Sequence, residues 1–290
     1  EIEWFDSHLA RMLDELDRQD ELANTLVVVT ADNGMPFPRV KGQEYEMSNH
    51  LPLAMMWPAG IRNPGRKVDE FVSFIDFAPT FIELAGLSWN DTGMAPATGR
   101  SLTNLFADEP SQPPRDHVLI GKERHDVGRP HDEGYPIRGI VKEGMLYLQN
   151  FETSRWPGGN PETGYLNCDG SPTKTEILNT RARPDQRQFW NWSFGLRPSE
   201  ELYNVENDPE CMRNLASEPQ YAEEKTRLRE QLFDELKDQD DPRMSGQGAM
   251  FDAFPYVDKG SAGFYERVMQ GEKLNAGWIN PTDVQAAETP

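Results

Sequence analysis

Apolar residues at Ile2, Phe5, Leu9, Met12, Leu13 and Leu16 recur at the spacing of an amphipathic helix over residues 1–19. Asp6 and His8 fall among its polar positions and read as solvated. After a short acidic link comes Leu26-Val-Val-Val-Thr-Ala31, a β-branched run too short for a helix. It reads as a strand buried on both faces of a parallel sheet. Leu51–Trp57 is a second apolar run, ended by Pro58-Ala-Gly60, and Phe71–Phe74 is a third short strand candidate. Asp76 then stands as the N-cap of a helix with Pro79 in its first turn, Phe81, Ile82, Leu84 and Ala85 as its apolar stripe, and Gly86 as its stop. Residues 88–100 read as loop and Ser101–Phe106 as a short helix. Helices alternating with strands describe an α/β domain.

The pattern changes at Glu109–Pro114, where three prolines crowd together and a subdomain boundary is expected. Beyond it lie three strand candidates: Val118–Ile120, Ile137–Val141 and Met145–Leu148. Lys142-Glu-Gly144 between the last two is a hairpin signal. A helix over about 219–237 carries Leu228, Leu232, Phe233 and Leu236 on one side. Strands followed by one covering helix describe a small antiparallel α+β subdomain. Residues 151–200, rich in Pro, Gly, Asn and Trp, have no clear period and read as an insertion. Its Trp156, Trp190 and Trp192 offer flat apolar surfaces for a carbohydrate pocket or, equally, anchors for a structural loop. Residues 244–290 are expected to wrap the surface irregularly, with the last few disordered. The expected organisation is 1–110, 111–243 and a C-terminal extension, 244–290.

Charge narrows the function. The chain has 290 residues and a net charge of −20, which argues against a nucleic-acid partner, since that requires a basic face. An acidic protein that handles anions must gather its few cations locally, so clustered Lys and Arg become informative. Mean hydropathy of −0.73 and the lack of a long apolar run exclude a membrane span. The two cysteines, Cys168 and Cys211, do not establish a disulfide.

Candidate chemistry gathers after the Leu26 run. Asp32, Asn33 and Gly34 stand at its carboxyl end, where ligands bind in open α/β sheets. An acidic oxygen beside an amide oxygen suits a hard divalent cation, although Asp-Asn-Gly is also a common turn. The loop over residues 35–50 is long enough to suggest function, and it contributes Lys41 and His50. A cation, a lysine and a histidine around one mouth suit an anionic substrate group. Further on, Glu123-Arg-His125 and Arg129-Pro-His131 form a second dense polar cluster.

Thr30-Ala-Asp-Asn-Gly34, Lys41-Gly-x-x-Tyr45-Glu46, His50-Leu-Pro52 and Trp57-Pro58, in this order and spacing, resemble the second half of a type I sulfatase. Asp76-Phe-Ala-Pro-Thr80, Glu83-Leu-Ala-Gly86 and Gly99-Arg-Ser-Leu102 continue the pattern, as does Leu202-Tyr-Asn-Val before the final helix. The Asp-Asn-Gly-Met-Pro-Phe-Pro38 variant, with Tyr135-Pro-Ile-Arg138, is similar to the heparan N-sulfatase branch and its bacterial relatives. The resemblance runs from about Glu1 to Tyr256 and implies part of an alkaline-phosphatase-like sandwich with a mostly parallel sheet.

It further implies Asp32 and Asn33 as calcium ligands, Lys41 as the lysine that contacts the sulfate, and His50 at a position that touches substrate or orders the loop. His125, Arg129 and His131 are candidate glycan contacts, because loops of this subdomain border the pocket in the family. A sulfated carbohydrate is the implied substrate, and a periplasmic, secreted or lysosomal-type compartment the implied location. The family's nucleophile is a cysteine in Cys-x-Pro/Ala/Ser-x-Arg, converted to formylglycine. Neither Cys168-Asp-Gly-Ser-Pro nor Cys211-Met-Arg-Asn-Leu fits that signature. The expectation is a C-terminal half whose missing N-terminal portion holds the formylglycine and the remaining calcium ligands, inactive by itself. A phosphoester hydrolase of the same superfamily and a non-catalytic glycan-binding fragment are the alternatives.

Overall fold

The structure, a computed structural model, describes residues 1–287. In chain order it begins with helix α1 (Ile2–Arg18), strand β1 (Val27–Thr30), a one-turn helix α2 (Glu46–Asn49) and strand β2 (Leu53–Met56). Helices α3 (Phe77–Leu84) and α4 (Thr103–Phe106) follow, then strands β3 (His117–Lys122), β4 (Ile137–Lys142) and β5 (Met145–Asn150). Helices α5 (Pro172–Asn179) and α6 (Arg187–Phe194) precede strand β6 (Glu200–Asn204). The long helix α7 (Ala222–Asp238) and two short ones, α8 (Met250–Ala253) and α9 (Phe264–Met269), complete the order. The chain divides into two compact units. One comprises Glu1–Ala31 with Pro52–Val118, the other Asp32–Leu51 with the described residues from Leu119 onward.

In the first unit, β1 pairs antiparallel with β2 in the register Val27↔Met56 and Val29↔Ala54. The expected parallel sheet is thus not what these two strands form. The segment that joins them carries only the one-turn α2 and belongs to the second unit, so it does not supply the helical crossover that parallel neighbours usually need. Nor is β1 buried on both faces: its valines are half-buried and Thr30 is exposed. Leu102, Leu105 and Phe106 form the core, with Leu26, Trp57 and Phe77 packed against them. Helix α1 buries none of its residues, and Ile2, Trp4, Phe5 and Met12 are exposed.

Phe71–Phe74 is not a strand. Phe71 N–H donates to the Arg115 carbonyl at 3.1 Å, and Phe74–Asp76 turns into a 3₁₀ helix with Phe74 and Ile75 exposed. Asp76 sits at the N-cap position of α3, but its carboxylate does not cap that helix. It accepts from Ser73 N–H at 2.9 Å, Arg100 N–H at 2.7 Å and Arg115 Nη1 at 2.8 Å. The buried charge is satisfied by a partner and hydrogen bonds together, as a buried carboxylate requires.

In the second unit, the sheet has the order β3-β4-β5-β6, with β4–β5 and β5–β6 antiparallel. Lys142 pairs with Met145 across a two-residue turn whose Glu143 and Gly144 both have positive φ, the turn that suits the twist of a hairpin. One face of the sheet packs Ile140, Tyr147 and Leu202 against Leu228, Leu232 and Leu236 of α7. A second cluster joins Tyr45 of the 32–51 loop to Tyr135, Ile137, Leu146 and Tyr203.

The 151–200 insertion is more regular than its composition suggested. Ser171 caps α5 by accepting from Lys174 N–H, and Pro172 occupies the first turn. Trp190 and Phe194 of α6 are buried with Tyr165 and Leu178. The extension beyond 244 is largely irregular and is tied back by ion pairs, among them Asp252 with Arg155 and Asp283 with Lys174. The last residues, for which disorder was expected, lie outside the described part. Cys168 and Cys211 are buried free thiols.

Candidate functional site

The loop that carries the first group of candidate residues, 32–51, packs within the second unit rather than with the strands it joins. Three anchors hold it. Arg39 stacks 4.0 Å over the Tyr45 ring and donates to the carbonyls of Trp192, at 2.8 Å, and Cys211. Tyr45 is buried and donates its hydroxyl to Glu201 at 3.1 Å. The Lys122 ammonium donates to the Gly42 carbonyl.

Between these anchors Lys41 stands half-buried, its Nζ 2.9 Å from Asp169 Oδ2. Gly42 has φ +73°, and a Cβ there would lie 2.8 Å from the Asn167 carbonyl and 3.3 Å from His125 Nδ1. The second candidate cluster is therefore packed directly against the first. Asn167 is buried, and both atoms of its side-chain amide lack a hydrogen-bond partner among the described residues.

Cations dominate the local field. Burial, with Lys122, Lys41 and Arg129 nearby, pushes the His125 proton affinity down to about 4, so the imidazole is neutral near pH 7 although its residue is partly open to solvent. Burial pushes Asp126 up to about 6 against the pull of Arg129 and Lys41. Lys122 is lowered to about 7 by burial, opposed by the Glu44 carboxylate. Glu44 is itself raised by burial, and Asn49 donates to it at 3.1 Å.

The other candidates are placed differently. Arg129 is fully buried and spends its Nε and Nη2 on the carbonyls of Trp156 and Pro157, at 2.8 and 2.9 Å. Its Nη1 is buried without a hydrogen-bond partner among the described residues. His131 is open to solvent, with Nδ1 3.6 Å from Glu266. His50 is equally open and makes its contact, at 2.5 Å, with Glu46 of α2. Asp32 and Asn33 are exposed at the start of the loop. Their oxygens fit a hard cation in kind but not in number, since calcium takes six to eight. Among the described residues no three His, Cys, Asp or Glu side chains gather as a metal site.

Sequence reasoning missed Asp169, Asn167, Lys122 and Glu44. Lys122 and Asp126 flank a cluster it did single out. Asn167 and Asp169 lie in a Tyr-Leu-Asn-Cys-Asp-Gly stretch whose only visible signal is a turn.

Residues 1–87, with Asp32, Asn33, Lys41 and His50 among them, match the sulfatase family model. An ulvan-active sulfatase of Formosa agariphila is 25% identical over 232 residues, covering 78% of this chain and 35% of that protein. The N-sulphoglucosamine sulphohydrolase of Homo sapiens is 27% identical over 235 residues, covering 78% and 44%. Among solved structures, BT4656 in complex with its substrate D-glucosamine-2-N,6-O-disulfate superposes with a TM-score of 0.56 at 18% identity, covering 82% and 39%. At that identity the likeness shows the fold alone, a mixed α/β architecture. The chain spans less than half the length of these relatives and of their structural neighbour.

Proposed function

We propose that this chain is the C-terminal portion of a sulfatase that hydrolyses sulfate esters or sulfamates on a sulfated sugar or polysaccharide. The observation that carries this reading is Lys41. It lies inside the family-matched segment, in the Lys-Gly-x-x-Tyr-Glu motif, and the cations Lys122 and Arg129 lie near it around His125. The names of the relatives, ulvan-active sulfatase and N-sulphoglucosamine sulphohydrolase, support a sulfated glycan as the substrate class.

Asp169 steadies the Lys41 ammonium, which meets an incoming sulfate group with its remaining N–H donors and stabilises charge on the sulfate oxygens as the S–O or S–N bond breaks. His125, neutral at neutral pH, is able to accept or relay a proton at the rim. Asp32 and Asn33 would supply part of a calcium shell. The ion, when bound, acts as a Lewis acid toward the sulfate oxygens. The remaining ligands and the formylglycine nucleophile belong to the part of the sulfatase fold outside this chain. A secreted, periplasmic or lysosomal-type compartment goes with the same reading; among the described residues no helix is long and apolar enough to cross a membrane.

The test is release of inorganic sulfate by the full-length polypeptide from glucosamine N-sulfate and from a sulfated polysaccharide, with a phosphomonoester alongside. Sulfate release that stops on calcium chelation is expected, and Lys41→Met should lower kcat/KM by about 10²-fold, the scale of one lost transition-state charge contact. Preferential phosphate release would move the protein to the phosphoester hydrolases. Calcium-independent glycan binding without turnover would make it a binding module.

A further inference from the structure

Lys174, in the first turn of α5, is completely buried. Its Nζ donates to three carbonyls of one turn: Gly164 at 2.8 Å, Tyr165 at 3.3 Å and Cys168 at 2.7 Å. Carbonyls satisfy its donors but do not balance its charge, and an unbalanced buried ammonium is strongly disfavoured. The balance comes from more than a hundred residues away. Asp283, also completely buried, places Oδ2 3.2 Å from Lys174 Nζ. Asp283 is held in turn by Asn280 N–H at 3.0 Å and Thr175 Oγ1 at 3.3 Å.

The turn shaped around Lys174 leads straight to the candidate site. Asp169 follows Cys168 and binds Lys41, while Asn167 packs its carbonyl and Cβ against Gly42. The same C-terminal segment grips the turn elsewhere: Trp278 Nε1 donates to the Leu166 carbonyl at 2.9 Å, and Gly170 N–H donates to the Trp278 carbonyl at 2.7 Å.

Resting on the sulfatase reading above, we propose that Asp283 is a positioning residue for the candidate site. By balancing the buried Lys174 ammonium it holds the 164–170 turn in the shape that sets Asp169 and Asn167 against Lys41 and Gly42. Substrate affinity then depends on the C-terminal extension. Burial already lowers the proton affinity of Lys174, and Asp283 opposes that. Without the carboxylate the buried ammonium loses the opposing charge beside it. The turn whose three carbonyls it holds then relaxes.

The experiment is Asp283→Asn in the full-length polypeptide, read by sulfate-release kinetics, with Asp283→Glu as the charge-restoring variant. We expect KM to rise about tenfold with kcat little changed, and Asp283→Glu to recover part of the loss. Combined with Asp169→Asn, Asp283→Asn should add less than its separate effect, because it acts through Asp169. A lowered melting midpoint with unchanged KM, or strictly additive effects, would overturn the proposal.

Trp278→Phe removes one hydrogen bond from the same segment and leaves the ion pair intact. It should raise KM by a smaller factor, again coupled to Asp169→Asn, and an unchanged KM counts against the proposal. Where the wild-type protein releases no sulfate, the functional reading fails by itself. The positioning is then read from the His125 ring signal by NMR, whose titration should shift in Asp283→Asn and would stay fixed if the turn did not move.

Discussion

His125 and Asp126 are neighbours in sequence whose proton affinities move in opposite directions under the same surroundings. The folded chain binds the His125 proton only near pH 4, whereas an unfolded histidine takes it up near 6.5. Between those values the unfolded state holds more protons, so this group removes stability as pH falls. Asp126 has the reverse sign: raised from 3.8 to about 6, it binds its proton earlier when folded and adds stability as pH falls through that window. The two contributions offset each other. His125→Gln should therefore gain on the wild type as pH drops from 7.5 to 4.5, by about 1 kcal/mol once solvent screening at this open rim is allowed for. Asp126→Asn should lose. Melting midpoints at the two pH values check this, and equal differences at both would refute it. In the sequence, His125 was visible as part of a polar cluster. That Lys41 would join Lys122 and Arg129 around it was not, because Lys41 comes from a loop more than eighty residues earlier.

The 32–51 loop shows what an element must do to present one lysine. Arg39, Lys122 and the buried Tyr45 fix its course on either side of Lys41, and Gly42 lets it pass close to Asn167. The positive φ of Gly42 and the 2.8 Å approach of the Asn167 carbonyl leave no room for a methyl group. Gly42→Ala should cost about 2 kcal/mol in urea unfolding and raise KM, since the strain falls next to Lys41. An unchanged unfolding midpoint would mean that the loop is looser than these contacts imply. Elements with a strong local signal were legible: the α1 and α7 stripes, and the Glu143–Gly144 hairpin, where turn chemistry and strand pattern agree. The pairing of β1 with β2 was not, because a short β-branched run reads the same in parallel and antiparallel ladders. Helices α5 and α6 were hidden by composition, although Ser171-Pro172 carried a start signal. The loop's membership in the second unit depends on Tyr45 reaching Glu201 and Tyr203, a long-range choice that no local pattern encodes.

At the scale of the whole molecule, the net charge of −20 opposes the proposed anionic substrate, while Lys41, Lys122, Arg129 and Arg197 concentrate positive charge near the site. The two effects have different ranges. At about 10 mM ionic strength the screening length is roughly 30 Å, so an approaching polyanion feels the acidic surface as a whole. At about 0.1 M it falls to roughly 10 Å, and only charges near the contact matter. Binding of a sulfated polysaccharide to this chain should therefore tighten as salt rises from about 10 to 100 mM, and weaken beyond that as the Lys41 contact is screened in turn. A sulfated monosaccharide, which meets mainly the local cations, should show the weakening alone. Titrations of both ligands across the salt series distinguish this from a basic binding surface, on which polyanion affinity falls steadily from the lowest salt onward. A steady fall here would mean that cations elsewhere on the chain, not the cluster around Lys41, govern the encounter.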